Sequence, residues 1–444
     1  MGELSAGCSK VVITPPVGAY LAGHFRPRKS TGVHDDLYAR ALVLSDGDVE
    51  LALVVCDLLC VDSEVVSKSR EIVRRELGIP EGNVMVAATH THTGPYAVRD
   101  FMGSERLSEE YLSILPSLIA GAVIEAHEEM ERVRAGFGVG HEDGVAFNRR
   151  YYMRDGRVVT NPGRGNPDVV RPAGPVDPSV GVVRLDRASE GVRCLLVNYA
   201  NHVDVVKGTL ISADYPGVVC RFIEGALGGR ATCIYTNGAM GDVNHINVRD
   251  PEQRDGYEEA ERIGVIVACE ALRTALKVRC RHADVELASA REVVRLPLRR
   301  VSEEEVERAR RVLREGGASL RDRVYATEVL LLHERYERGE RYVEAELQVL
   351  RVGDCVLAGV PGELFAELGL RLKEMSPFPL TLVVGLANDY VGYIPTARAY
   401  DEGGYEVRPC RHSKLARGGG ELLVDRLASL ARKLHAGHAA KPEF

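Results

Sequence analysis

Apolar residues in the first hundred positions come in short runs separated by turn chemistry. Val11-Val-Ile before Thr14-Pro-Pro16 reads as a strand halted by prolines, and Leu37 to Leu44 as a strand ending in the turn Ser45-Asp-Gly-Asp48. Leu51 to Cys56 is a third. A helix follows, opened by Asp62 or Ser63, with Val65, Val66, Ile72, Val73 and Leu77 on its apolar positions and Gly78 and Pro80 closing it. Asn83 to Ala88 is then a buried strand. The result is a strand-helix-strand crossover whose second strand runs straight into Thr89-His-Thr-His-Thr-Gly94.

The same pattern returns downstream: a strand from Cys194 to Ala200, then Asn201-His202, a helix from about Tyr215 to Leu227, and a strand from Ala231 to Tyr235 that ends in Thr236-Asn-Gly-Ala-Met-Gly-Asp242. In both units the polar residues gather where a strand gives way to a loop, the place where open α/β sheets collect ligands. The spacing suggests two related halves, without a residue-level repeat. Between them, Asn161 to Pro178 is rich in Pro and Gly and reads as a long loop. From 302 to 338 the charge density is high; Ser302 with Glu305 fits a capping box, and Val306, Ala309, Val312 and Leu313 form an apolar stripe, which predicts solvated surface helices. Strands resume at Ala345 to Val352 and Cys355 to Gly359, Pro361-Gly-Glu363 opens a helix, and a last helix runs from about Gly420 to His435. The fold class expected is α/β, with mixed sheets flanked by helices, in one domain over 1–444 that carries a charged helical insertion at about 300–340.

Composition narrows the function classes. With 45% hydrophobic residues over 444 positions the chain buries a large core, and 57 Lys+Arg against 64 Asp+Glu leave a net charge of −7, which argues against nucleic acid or an anionic membrane as partner. No apolar stretch of roughly 18 residues is present, and the amino end lacks the pattern of a signal peptide, so no stable membrane anchor and a cytoplasmic location are expected. Ten scattered cysteines without a CxxC pair predict reduced, largely buried thiols and no zinc ribbon.

His90 and His92 are the sharpest chemical signal. On a strand, residues i and i+2 face the same side, so both imidazoles can converge on one cation, and neutral imidazole favours zinc, copper or iron. A His pair that merely caps loop carbonyls is the alternative. Other candidates are His202 with Asp204 two positions on, His245 beside Asp242-Val-Asn244, and Glu363 at the start of a helix, where the helix dipole alone would favour a carboxylate.

Taken together these segments resemble the neutral ceramidases, zinc-dependent amidases that cleave the N-acyl bond of ceramide. The resemblance runs from Val11-Val-Ile-Thr-Pro-Pro16 and Gly32-Val-His-Asp-Asp-Leu-Tyr-Ala-Arg40 through Ala88-Thr-His-Thr-His-Thr-Gly-Pro95, Asn148-Arg149, Asn201-His202 and Gly238-Ala-Met-Gly-Asp-Val243. It ends with Pro361-Gly-Glu363, Gly392-Tyr-Ile-Pro-Thr396 and Tyr405-Glu406. It implies a neutral-ceramidase-like catalytic domain, with Zn2+ held by His90, His202, Glu363 and Tyr393, and with His92, Arg149 and Tyr405 lining the substrate amide. Such a zinc site lowers the pKa of a bound water and polarises a carbonyl. His92 and Tyr405 would then move protons or donate to an oxyanion, and Arg149 would fix a polar substrate group.

The departures bear on the substrate. Where ceramidases carry serine and proline after Gly-Asp-x, this chain has Asn244 and His245; Asn244 is no nucleophile, but its amide could donate to an oxyanion. Whether Asp204 and His245 form a second metal site stays open at this level. Ceramidases also carry a secretion signal and a carboxy-terminal β-sandwich domain, neither of which is expected here. The reading is therefore a zinc-dependent amidohydrolase acting on the C–N bond of a small amide or ester, ceramide itself or a soluble N-acyl compound, with homo-oligomerisation left open. The alternatives are a hydrolase of another soluble ester, lactone or amide, and a non-catalytic metal-binding homologue. A metallo-β-lactamase-like site would need Asp-His after His92, where Thr93-Gly94 stands.

Overall fold

The computed structural model describes residues 3–315 and 317–439, and over them the chain repeats one topological unit three times. Each unit is a three-stranded antiparallel meander, a crossover helix, a fourth strand parallel to the third, and a second helix. The first comprises Ser5–Val12, Tyr38–Ser45, Glu50–Cys56, the helix Ser63–Leu77, Val84–Ala88 and the helix Glu109–Glu128. The second comprises Glu131–His141, Ser179–Arg187, Val192–Tyr199, the helix Asp214–Ala226, Thr232–Asn237 and the helix Tyr257–Lys277. The third comprises Leu287–Pro297, Tyr342–Val352, Cys355–Gly359, the helix Ala366–Met375, Leu380–Val384 and the helix Gly419–Ala439. Among the described residues, the pairs Ser5↔Arg132 and Ala6↔Glu131 join the first two sheets into one of eight strands.

The three sheets share a core. Leu53 and Val55 of the first meet Leu185 and Leu196 of the second and Leu357 and Leu382 of the third, all at most 3% exposed. The opposite face of each sheet is covered by its own helices, through Val73 and Ile119, Ile223 and Val267, and Leu372 and Leu427 respectively. Burial on both faces explains why strands such as Val84–Ala88 are uninterrupted apolar runs. The helix Ser63–Leu77 shows both predicted ends: Asp62 accepts from the Val65 N–H, and Gly78 stops it at φ 78°, a left-handed conformation natural to glycine.

Several expectations need correction. Two related halves become three units, because the third is split between its first and second strands by the helices Glu303–Arg314 and Leu320–Glu337. The first of those has the Ser302–Glu305 capping box, and Val306, Ala309 and Leu332 are buried. The expected loop 161–178 contains the strand Val169–Pro172, which pairs with Arg150–Met153 in a small sheet completed by Val158–Thr160. Glu363 does not open a helix. It lies in the two-residue strand Glu363–Leu364, parallel to Tyr393–Ile394, and the helix starts at Ala366. All ten cysteines are free thiols and eight are buried. Among the described residues, no helix is long and apolar enough to cross a membrane.

Candidate metal centre

The candidate ligands sit just beyond the carboxyl ends of strands in the parallel pairs, one from each unit. His90 follows Val84–Ala88, His202 follows Val192–Tyr199, and Glu363 follows Cys355–Gly359. The strand alternation expected for His90 and His92 is not what makes them converge. The strand has already ended, and His90 takes φ 80°, a left-handed conformation costly for a residue with a Cβ and held only where surroundings enforce it. Those surroundings are visible: the His90 N–H donates to Leu58 O at 2.9 Å, and its Nδ1 lies 2.8 Å from Leu59 O. His92 Nδ1 lies 3.1 Å from Gly23 O, and the half-buried guanidinium of Arg28 donates to the His92 carbonyl at 2.6 Å. An Nδ1–H bound to a carbonyl leaves the Nε2 lone pair free to face inward.

Those lone pairs meet. His90 Nε2 is 3.2 Å from His202 Nε2, and Glu363 Oε2 is 3.5 Å from His90 Nε2 and 3.9 Å from His202 Nδ1. One ligand atom from each of His90, His92 and His202 falls within 4.8 Å of the others. Two nitrogens held by one tetrahedral cation at about 2.1 Å lie roughly 3.4 Å apart, so the His90–His202 spacing fits a shared metal. So do two orphans, for His92 Nε2 and Glu363 Oε2 are buried without a hydrogen-bond partner. Burial, reinforced by neighbouring cations and imidazoles, lowers the pKa of His92 well below its usual value and that of His202 to about 3, which keeps both rings neutral and able to ligate. For Glu363 burial acts the other way, but His90, His202 and Arg149 outweigh it and hold the carboxyl ionised.

Register brings the remaining groups in. Glu363 pairs directly with Tyr393, and the approach is tight enough that a Cβ on Gly362 would meet Gly392 O at 2.4 Å. The second carboxylate oxygen of Glu363 accepts from the Tyr390 hydroxyl at 2.6 Å. Tyr390 escaped the sequence reading; its only signal was its place three residues before Tyr393 in Asp389-Tyr-Val-Gly-Tyr393.

Arg149 is buried and largely committed. Its Nε donates to Glu406 at 2.7 Å and one terminal nitrogen to Gly241 O at 2.8 Å, while the other lies 3.3 Å from His202 Nδ1. Its guanidinium stands 5.3 Å from the ring of Tyr393 and 5.9 Å from that of Tyr405. Burial raises the phenols of Tyr393 and Tyr405 well above their usual pKa. Asn244 is buried, with its amide donating to Asn161 at 3.1 Å and its carbonyl oxygen accepting from the Ile246 N–H. His245 lies between Asp204 at 3.3 Å and Asp255 at 3.0 Å. Burial alone would lower its pKa, but these carboxylates raise it to about 9, which favours the protonated ring near neutrality. Among the described residues, the three imidazoles are the group of His, Cys, Asp or Glu with ligand spacing.

The cavity at the imidazoles is small, about 30 Å³, lined by His24, His90, His92, Glu363, Tyr393 and His412 among others. A far larger cavity, about 730 Å³, lies beside Asn148, Tyr151 and Arg249 and contains none of the three histidines, so size does not mark the chemistry here.

Fold and centre together define an α/β protein with a buried, metal-competent cluster at the strand ends. The chain belongs to the family described as neutral/alkaline non-lysosomal ceramidase, N-terminal, whose profile matches residues 5–255, more than half its length. It is 24% identical to a neutral ceramidase of Mycobacterium tuberculosis, over 85% of this chain and 69% of that protein. It is 25% identical to neutral ceramidase A of Dictyostelium discoideum, over 58% of this chain and 38% of that one. Among solved structures it is similar to neutral ceramidase from Pseudomonas aeruginosa, with TM-score 0.76 and 18% identity over 98% of this chain and 75% of that one. A ceramidase complexed with C2 gives TM-score 0.75 at 17% identity, over 98% and 76%. At these identities the solved structures establish the fold.

Proposed function

We propose that this member of the ceramidase-like hydrolase family is a zinc-dependent amidohydrolase that cleaves the C–N bond of a small N-acyl compound. The observation that carries the reading is the convergence of His90 Nε2 and His202 Nε2 at 3.2 Å beside the orphaned oxygen of Glu363. A donor set of imidazole nitrogens, one carboxylate and the phenol of Tyr393 suits zinc better than a hard cation. Bound there, zinc would supply a Lewis acid and a water acidic enough to attack at neutral pH.

The protein's own groups supply the rest. Tyr390 fixes the carboxylate of Glu363, and the carbonyls of Leu59 and Gly23 fix the ring orientations of His90 and His92. His92 Nε2, buried and unpartnered, can complete the ligand set or accept a proton from the attacking group. Tyr405, kept protonated by burial, donates to the developing oxyanion. Arg149, anchored by Glu406, keeps positive charge beside His202 and offers its remaining nitrogen to a polar substrate group. Asn244, engaged with Asn161 and Ile246, serves as scaffold, and hydrolysis proceeds without a side-chain nucleophile. The small imidazole-lined cavity favours a short polar acyl compound over a long lipid chain, and ten unpaired cysteines fit a reducing compartment such as the cytoplasm.

The test is metal analysis of protein purified without chelator, followed by hydrolysis of a panel of N-acyl amides, esters and lactones. One equivalent of zinc and preferential amide cleavage are expected. Retention of stoichiometric zinc and full activity by His90→Ala would refute the proposal.

A further inference from the structure

His412 lines the cavity and has no part in the roles above. His412 is 2% exposed, and neither Nδ1 nor Nε2 has a hydrogen-bond partner. Its place is fixed by backbone: the Tyr393 N–H donates to His412 O at 2.8 Å, and Gly392, at φ 95°, passes so close that a Cβ there would meet the same oxygen at 2.5 Å. Its ring stacks on Tyr405 with centroids 5.6 Å apart, meets Tyr393 edge-on at 5.9 Å and lies 6.0 Å from Phe101. It lines the same cavity as His90, His92 and Glu363 but stands outside the group of imidazoles spaced to share a cation.

Packing does not account for this residue. A phenylalanine would stack on Tyr405 as well without stranding two polar atoms, and a buried polar group with no partner calls for a cause. A neutral imidazole donates from one nitrogen and accepts at the other. Neither capacity is met within the protein, and the residue lines the cavity shared with His90, His92 and Tyr405. A secondary amide presents the complementary pair, a carbonyl acceptor and an N–H donor.

We propose that His412 is a substrate-binding residue whose ring hydrogen-bonds a polar atom of a small N-acyl substrate, selecting a short amide over a hydrocarbon chain. This rests on the amidohydrolase reading, because it assigns a substrate contact within the same site.

The test compares wild type, His412→Phe and His412→Gln, all zinc-loaded, with acetohydroxamate as probe. Three quantities are read: zinc per chain, probe affinity by calorimetry, and the ring ¹⁵N resonances of His412, assigned by their absence from His412→Phe. Expected are unchanged zinc and a thermal midpoint no lower in His412→Phe, probe affinity weaker by about tenfold, and partial recovery in His412→Gln, which restores a donor and an acceptor. The wild-type ring resonances should shift when probe is added. Probe affinity within about twofold of wild type in His412→Phe, or no probe binding by wild type, overturns the proposal. Loss of zinc from His412→Phe overturns it too, since the residue would then hold the metal. If wild type binds probe but cleaves no amide in the panel, the amidohydrolase reading fails while the comparison still decides the role of His412.

Discussion

Tyr390 and Glu406 each hold a partner in place from behind. Tyr390 binds the oxygen of Glu363 that faces away from the imidazoles, so Tyr390→Phe should leave the fold intact yet weaken zinc affinity by about 10–100-fold, as measured by competition with a chelator. Glu406 is fully buried against Arg149, and Arg149→Met would leave its carboxylate without its main counter-charge. Such a loss costs about 3–5 kcal/mol, read as a lowered urea midpoint, and Arg149→Met with Glu406→Gln together should recover part of it. The convergence of His90, His202 and Glu363 could be anticipated through the family resemblance that their short segments carry. The roles of Tyr390 and Arg28 could not be: the Tyr390–Glu363 bond spans 27 residues and the Arg28–His92 bond 64, and neither leaves a local pattern.

At the scale of elements, the two-residue pair Glu363–Leu364 with Tyr393–Ile394 sets the register that aligns carboxylate and phenol. Gly362→Ala would force a Cβ against Gly392 O, so this variant should lose about 1–3 kcal/mol of stability and bind zinc more weakly, detectable by thermal unfolding with and without metal. The buried strands and the ends of Ser63–Leu77 could be read from the chain because apolar runs and caps are local chemistry. The left-handed turn at His90 could not, since a non-glycine residue gives no notice that tertiary contacts will hold it there. The strand Glu363–Leu364 was hidden for a similar reason: Pro361-Gly-Glu363 looks like a helix start, and only its distant partner makes it a strand.

For the whole molecule, the shared core is the stabilising element. Leu196, 1% exposed at the meeting of the sheets, should cost about 2–5 kcal/mol when cut to Ala, measured by denaturant unfolding. The ion pair of His245 with Asp204 and Asp255 gives stability a pH dependence. A histidine raised to about 9 in the fold, against about 6.5 unfolded, binds more protons folded than unfolded between those values. Its stabilisation is complete below about pH 6.5 and fades as pH climbs through 9, so the thermal midpoint should fall on that side, and His245→Gln should flatten the decline. The threefold plan was invisible in the sequence because the units share connectivity rather than residues, and the third is interrupted by a helical pair.

That plan places one donor on each unit: His90 on the first, His202 on the second, Glu363 on the third. A cation seated among them would act as a keystone, gaining its full set of donors only while all three arches stand docked. Its affinity would then report the free energy of docking, and chelation should unlatch three sequence-distant loops in one cooperative step, seen as a simultaneous rise in amide exchange around Thr89–Thr93, Asn201–Val206 and Val360–Leu364.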